Sequence, residues 1–175
     1  MFKIIVAALI VAVAAIFIMA ATRPDTFRVE RSIHVSAPPE KIFHYVNDFH
    51  QWGVWSPYEN LDPSMKRTYG GAAAGRGAVY EWDGNSKAGQ GRMQIIDSSE
   101  PAQIVIKLDF LRPITGHNRA TFDFQPAGSG TRVTWSMDGP SPYIAKLMGL
   151  FFNMDRLIGA DFEAGLANLA AVSEK

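Results

Sequence analysis

Residues Ile4 to Ala21 carry no charged, amide or hydroxyl side chain, and beyond them the chain breaks into short alternating segments. Eighteen such residues make a helix of about 27 Å at about 1.5 Å per residue, close to the ~30 Å hydrocarbon thickness of a bilayer. The segment has no polar face, which a core helix at the edge of a small domain would need. It is longer than the roughly 7–15 apolar residues of a cleaved signal, and Met19 stands where a cleavage after Ala21 wants a small side chain. The expectation is an uncleaved transmembrane anchor over residues 1–22, with a removed signal as the alternative. Lys3 and Arg23 flank it too evenly to orient it. A short N-terminal tail held inside favours an outward-facing, periplasmic domain.

After the anchor, Phe27 to Val35 alternates with Phe27, Val29, Ile33 and Val35 on one face, the pattern of a strand, and Arg31 interrupts that face. Ser36-Ala37-Pro38-Pro39-Glu40 opens a helix, with Ser36 or Ala37 near the cap and Ile42, Phe43 and Val46 as its inner stripe. A second short helix or turn, Phe49 to Tyr58, carries Trp52 and Trp55. Six strands separated by Gly-rich turns follow: Lys66–Tyr69, Gly77–Trp82, Gly91–Asp97, Gln103–Phe110, Arg119–Gln125 and Thr131–Met137. Strands in such tight succession pair antiparallel. Ser141-Pro142 opens a helical region whose stripe runs from Ile144 to Val172 in steps of three or four. Its first part, 143–154, is apolar nearly all round. The expected fold is α+β, a curved antiparallel sheet of about seven strands wrapped around a long C-terminal helix and preceded by a transmembrane helix.

Composition narrows the chemistry. The formal net charge is zero and no basic stripe appears, so nucleic acid is not an expected partner. Without cysteine there is no disulfide, thiolate catalysis or Cys-ligated metal. His34, His44, His50 and His117 lack paired metal-ligand spacing. Neither a phosphate-cradling Gly-Lys-Ser/Thr nor a nucleophile elbow occurs. No metal and no cofactor is expected.

The element order and several strings resemble the START-like or helix-grip superfamily, in its polyketide cyclase/dehydrase and lipid transport branch. The strings are Ala37-Pro38-Pro39-Glu40-Lys41-Ile42-Phe43, Asn47-Asp48-Phe49 with Trp52 and Trp55-Ser56-Pro57, Gly130-Thr131-Arg132-Val133-Thr134-Trp135, and Asp161 to Leu169. The resemblance covers residues 26–175 and implies a cavity between sheet and helix but no shared catalytic motif.

Large apolar side chains at these spacings are core as readily as cavity lining. The resemblance to a cavity-forming fold raises the second reading, and pockets are mostly apolar with a few placed polar groups. The candidate lining is Trp55, Tyr80, Trp82, Met93, Leu108, Phe110, Phe122, Trp135, Met137, Met148 and Phe151. Arg31 and His117 are the candidate polar groups of the cavity. The leading expectation is a non-catalytic, membrane-tethered module for a hydrophobic small molecule or lipid. A cyclase/dehydratase-type enzyme is the alternative, and needs at least two of Arg31, Glu81, Asp109 and His117 in one pocket, with Asp123 a weaker candidate. A protein-interaction module of the heat-shock-activator type is the third. Within residues 143–154, Leu150 and Phe152 are surplus to one buried stripe. They suggest a lid, with a bend near Asn153-Met154-Asp155.

Overall fold

The computed structural model describes residues 1–175. Helix α1 (Phe2–Ala21) is long and apolar enough to cross a membrane. Strand β1 (Thr26–Val35) leads to helix α2 (Pro39–Asn47), with Pro39 in its first turn. Pro38 occupies the N-cap with no side-chain hydrogen bond, one residue after Ala37. Two 3-10 turns follow, Phe49–Val54 and Pro57–Asn60. Then come β2 (Lys66–Gly71), β3 (Ala78–Asp83), β4 (Gln90–Ser99), β5 (Gln103–Arg112), β6 (Gly116–Ala127) and β7 (Gly130–Pro140). All neighbours are antiparallel, in the order β1-β7-β6-β5-β4-β3-β2.

The C-terminal helical region is two helices, α3 (Tyr143–Met148) and α4 (Met154–Ser173). The break falls where the sequence placed a bend, because Asn153 accepts from the Arg156 amide at 2.9 Å and so starts a new helix.

Helix α4 packs along β1 and β7, the edge where chain start and chain end meet. Gly159 allows this approach, since a Cβ there would collide with the Arg31 guanidinium. Arg31 reaches across it to donate from Nε to Glu163 at 2.7 Å and from Nη2 to the Asp155 carboxylate and carbonyl at 3.0 Å each. The interruption of the apolar face of β1 is therefore the bolt holding α4 to the sheet. Gly165 admits the Trp135 ring and Pro57 in the same way.

Beneath α4 lies an aromatic core. Trp135 and Phe162 stack at 4.0 Å between ring centroids and 7° between planes. Phe122 stacks on Trp135 at 4.9 Å, and Trp55 meets Trp135 edge-on at 5.7 Å. Trp52 and Trp55 are themselves fixed by indole hydrogen bonds to the Val46 and Tyr45 carbonyls, 3.0 Å each. Aromatic pairs at these separations add to the burial energy, so this half of the wedge is solid.

Candidate functional site

Strand register sorts the concave face into rows. The deepest holds Arg31, Trp135, Phe122 and Ile104. The next holds Val29, Met137, Ala120, Ile106 and Ile95. A third runs Phe27, Gly139, Asn118, Leu108, Met93, Tyr80 and Tyr69, and a fourth holds Gly116, Phe110, Gly91 and Trp82. Burial falls along this series on β1, β5 and β6, while Met93, Tyr80 and Trp82 on β3 and β4 stay buried. The apolar side chains of the first two rows are buried, whereas Phe27, Asn118, Leu108 and Phe110 are only half-buried. The concave face is therefore covered under α4 and least buried at the end where β1 begins and β7 finishes.

Small residues shape the open end. The Trp82 indole lies flat over Gly91, with its Nε1 donating to the Ala88 carbonyl at 3.0 Å. Gly139 leaves space taken by the Asn118 amide and the Phe27 ring. A Cβ at Gly116 would meet only the Phe110 ring, at 3.9 Å, so this spot is roomy.

Three polar groups lie on or against the concave face. Asn118 stands in the third row, its Nδ2 3.9 Å from the Met137 sulfur. Trp135 Nε1 is buried and no protein group accepts its hydrogen. An unmet buried donor costs about 1–3 kcal/mol. Tyr58 packs edge-on against Trp135 at 6.2 Å. Burial, and then the Asp161 charge, push its hydroxyl well above the ordinary phenol range, so it stays a neutral donor. Burial likewise raises the Asp161 carboxyl.

The candidates read from sequence separate accordingly. Trp55, Phe122 and Trp135 belong to the aromatic core under α4. Trp82, Met93, Met137, Leu108 and Phe110 lie on the concave face, the first three buried and Leu108 and Phe110 half-buried. Tyr80 is tied into a buried cluster, donating to Glu59 Oε1 at 2.6 Å while Arg67 Nε donates to Oε2 at 2.6 Å. Met148 and Phe151 lie on the segment after β7, exposed and off the sheet. Arg31 is consumed by its ion pairs with α4.

His117 points away from the groove. It pairs across β5–β6 with Asp109, and both alternate with groove residues, so their side chains stand on the outer face. There Nδ1 lies 2.7 Å from the Asp109 carboxylate, which Lys107 also approaches at 2.9 Å. Burial pushes the Asp109 carboxyl up, but hydrogen bonds from His117 and Lys107 outweigh it and hold it below the usual carboxylate range. Glu81 pairs with Arg92 at 3.3 Å and borders a separate depression of about 230 Å³ with Lys66, Thr68 and Leu111. A second depression of about 230 Å³ lies between His50, Tyr69 and Ala73, under the β2–β3 turn. The convergence of two groups among Arg31, Glu81, Asp109 and His117 on one pocket, which catalysis required, does not occur. Asn118 and Tyr58 were missed. Extending the parity of Ala120, Phe122 and Phe124 back along β6 places Asn118 inside and His117 outside.

Comparison with known proteins bears on this geometry. Solved structures of similar shape include a solution structure of a protein from Thermobifida fusca, 24% identical, covering 82% of this chain and 90% of that one at a TM-score of 0.60. A crystal structure of a protein from Chromobacterium violaceum is 18% identical, covering 87% and 99% at 0.60. The di-domain ARO/CYC BexL from the BE-7585A biosynthetic pathway is 16% identical over 90% of this chain and 53% of its own length, at 0.62. At these identities the likeness concerns the fold alone. No curated protein matches the chain. The family model described as polyketide cyclase / dehydrase and lipid transport matches residues 26–174, and that span contains every strand and helix of the grip, so the chain belongs to this family.

Proposed function

We propose that the domain is a membrane-tethered, non-catalytic carrier or receptor for a hydrophobic small molecule or lipid, held in the open half of the concave groove. One observation carries this reading: on β1, β5 and β6 the inner face passes from fully buried side chains under α4 to part-buried Phe27, Leu108 and Phe110 around Asn118. A guest with an apolar body and one or two polar atoms suits that distribution. Met137 in the second row and Met93 in the third adapt to irregular shapes. Helix α1 supplies the tether and the short link Thr22–Asp25 keeps the groove near the bilayer.

Native mass spectrometry of the full chain released from detergent micelles tests the reading. Added oleic acid should give a one-to-one adduct. Gly116→Leu, which fills the roomy spot opposite Phe110, should reduce that adduct several-fold while leaving the fold intact. An adduct indifferent to Gly116→Leu places the lipid elsewhere and sinks the proposal.

A further inference from the structure

Apart from the scattered Val54, Leu61, Tyr69 and Ile96, the exposed apolar side chains of the domain gather at one end. Tyr143, Ile144, Met148, Phe151, Phe152, Met154 and Leu157 form an exposed run from α3 into the first turn of α4. Leu111, near the end of β5, and Ile114 in the β5–β6 turn are also exposed. That turn, the start of β1 and the end of β7 all lie at one end of the sheet, beside the open end of the groove. The opposite end, with the β4–β5 and β6–β7 turns, presents Glu100, Ala102, Gly128 and Ser129.

Helix α3 is also fixed against α1. The Tyr143 ring stacks on Phe17 at 6.5 Å and 9°, and its hydroxyl donates to the Phe17 carbonyl at 3.0 Å. Lys146 pairs with Asp25 just past the end of α1, and the Ser141 amide donates to the Asp25 carbonyl at 2.7 Å. Phe17 lies four residues before the end of α1, about 6 Å below it at about 1.5 Å per residue. If α1 spans the hydrocarbon layer, Tyr143 stands at that depth, where tyrosine is favoured. The side chains beyond it then fall in the headgroup–acyl boundary, the layer in which interfacial helices bury their apolar face by about 5–10 Å.

We propose that residues 143–157, with Leu111 and Ile114, seat in the bilayer interface and set the open end of the groove against the membrane, so that the guest is a membrane-resident amphiphile entering from the lipid side. This rests on the tethered-carrier reading and adds its orientation and the source of its ligand.

The cysteine-free chain makes the test direct. Single-cysteine variants of the full chain, Val11→Cys, Ile114→Cys, Phe151→Cys and Ser129→Cys, are labelled with bimane and reconstituted in phosphatidylcholine vesicles. Some vesicles carry acyl-chain spin-labelled lipid. Labels at 114 and 151 should lose fluorescence to a shallow spin label, the label at 11 to a deep one, and the label at 129 to neither. Quenching at 11 without quenching at 114 and 151 overturns the seating, leaves the tether standing and hands the patch to a protein partner. No quenching at 11 overturns the tether itself and the seating with it.

Discussion

Truncating Phe162 to alanine separates a solid wedge from a hollow one. Phe162 is 2% exposed and stacks face to face on Trp135, which in turn touches Phe122, Trp55 and Tyr58. Removing the ring leaves a cavity walled by rigid aromatics and bounded by Gly165, which has no side chain to move in. Such a site relaxes poorly, so the cost should lie in the range of about 3–5 kcal/mol found for buried Phe→Ala changes. For a domain of this size that corresponds to a fall in melting temperature of about 6–20 °C. Trp52, Trp55, Trp82 and Trp135 are the only tryptophans and all lie outside α1. Urea denaturation of the full chain in detergent micelles, followed by tryptophan fluorescence, therefore reads the domain while the apolar helix stays embedded. The same truncation at Phe110, half-buried at the open end, should cost only about 1 kcal/mol, since it removes less apolar area from contact. A loss below about 1.5 kcal/mol at Phe162 would mean that its ring already borders empty space. The division into a solid α4 end and an open distal end would then be wrong.

Four further outcomes follow from the packing and the local charges. Gly159→Ala should destabilise the domain even though alanine gains about 1 kcal/mol of helix propensity, because the new methyl displaces Arg31; in an Arg31→Ala background the same change should become stabilising, and a double-mutant cycle by urea denaturation reads the reversal. Glu59→Ala should cost about 1–3 kcal/mol by leaving the Tyr80 hydroxyl and Arg67 without their acceptor, and melting curves should show Glu59→Gln costing less. The raised Asp161 carboxyl means that its charged form is penalised in the folded state, so Asp161→Asn should stabilise the domain at neutral pH and lose that advantage once pH falls below the ordinary carboxylate range. Asp109 has the opposite sign: its depressed carboxyl contributes stability above that range and loses it as pH falls through its folded value, so Asp109→Asn should flatten the acid limb of a stability–pH curve.

Much of this molecule follows from local pattern. The apolar run of α1, the alternation of each strand, the Gly-rich turns and the order of elements are all readable, because burial of one face imposes a period of two on strands and 3.6 on helices. The break before Met154 is readable as well, since Asn153 is a capping residue followed by an acidic first turn. Arg31 stands out in sequence as an interruption, but its partners Asp155 and Glu163 lie 124 and 132 residues away. Only the antiparallel return of the chain, which sets β7 beside β1 and α4 across both, brings them together. Which aromatics fill the wedge and which stay open is decided the same way. Trp135 and Phe110 are alike as strand residues, yet one lies under α4 and the other beyond its reach, because Gly159 and Gly165 fix where the helix can touch the sheet. The tertiary structure likewise sets α3 against α1. Proximity between residues so far apart in the chain leaves no periodic trace in either segment.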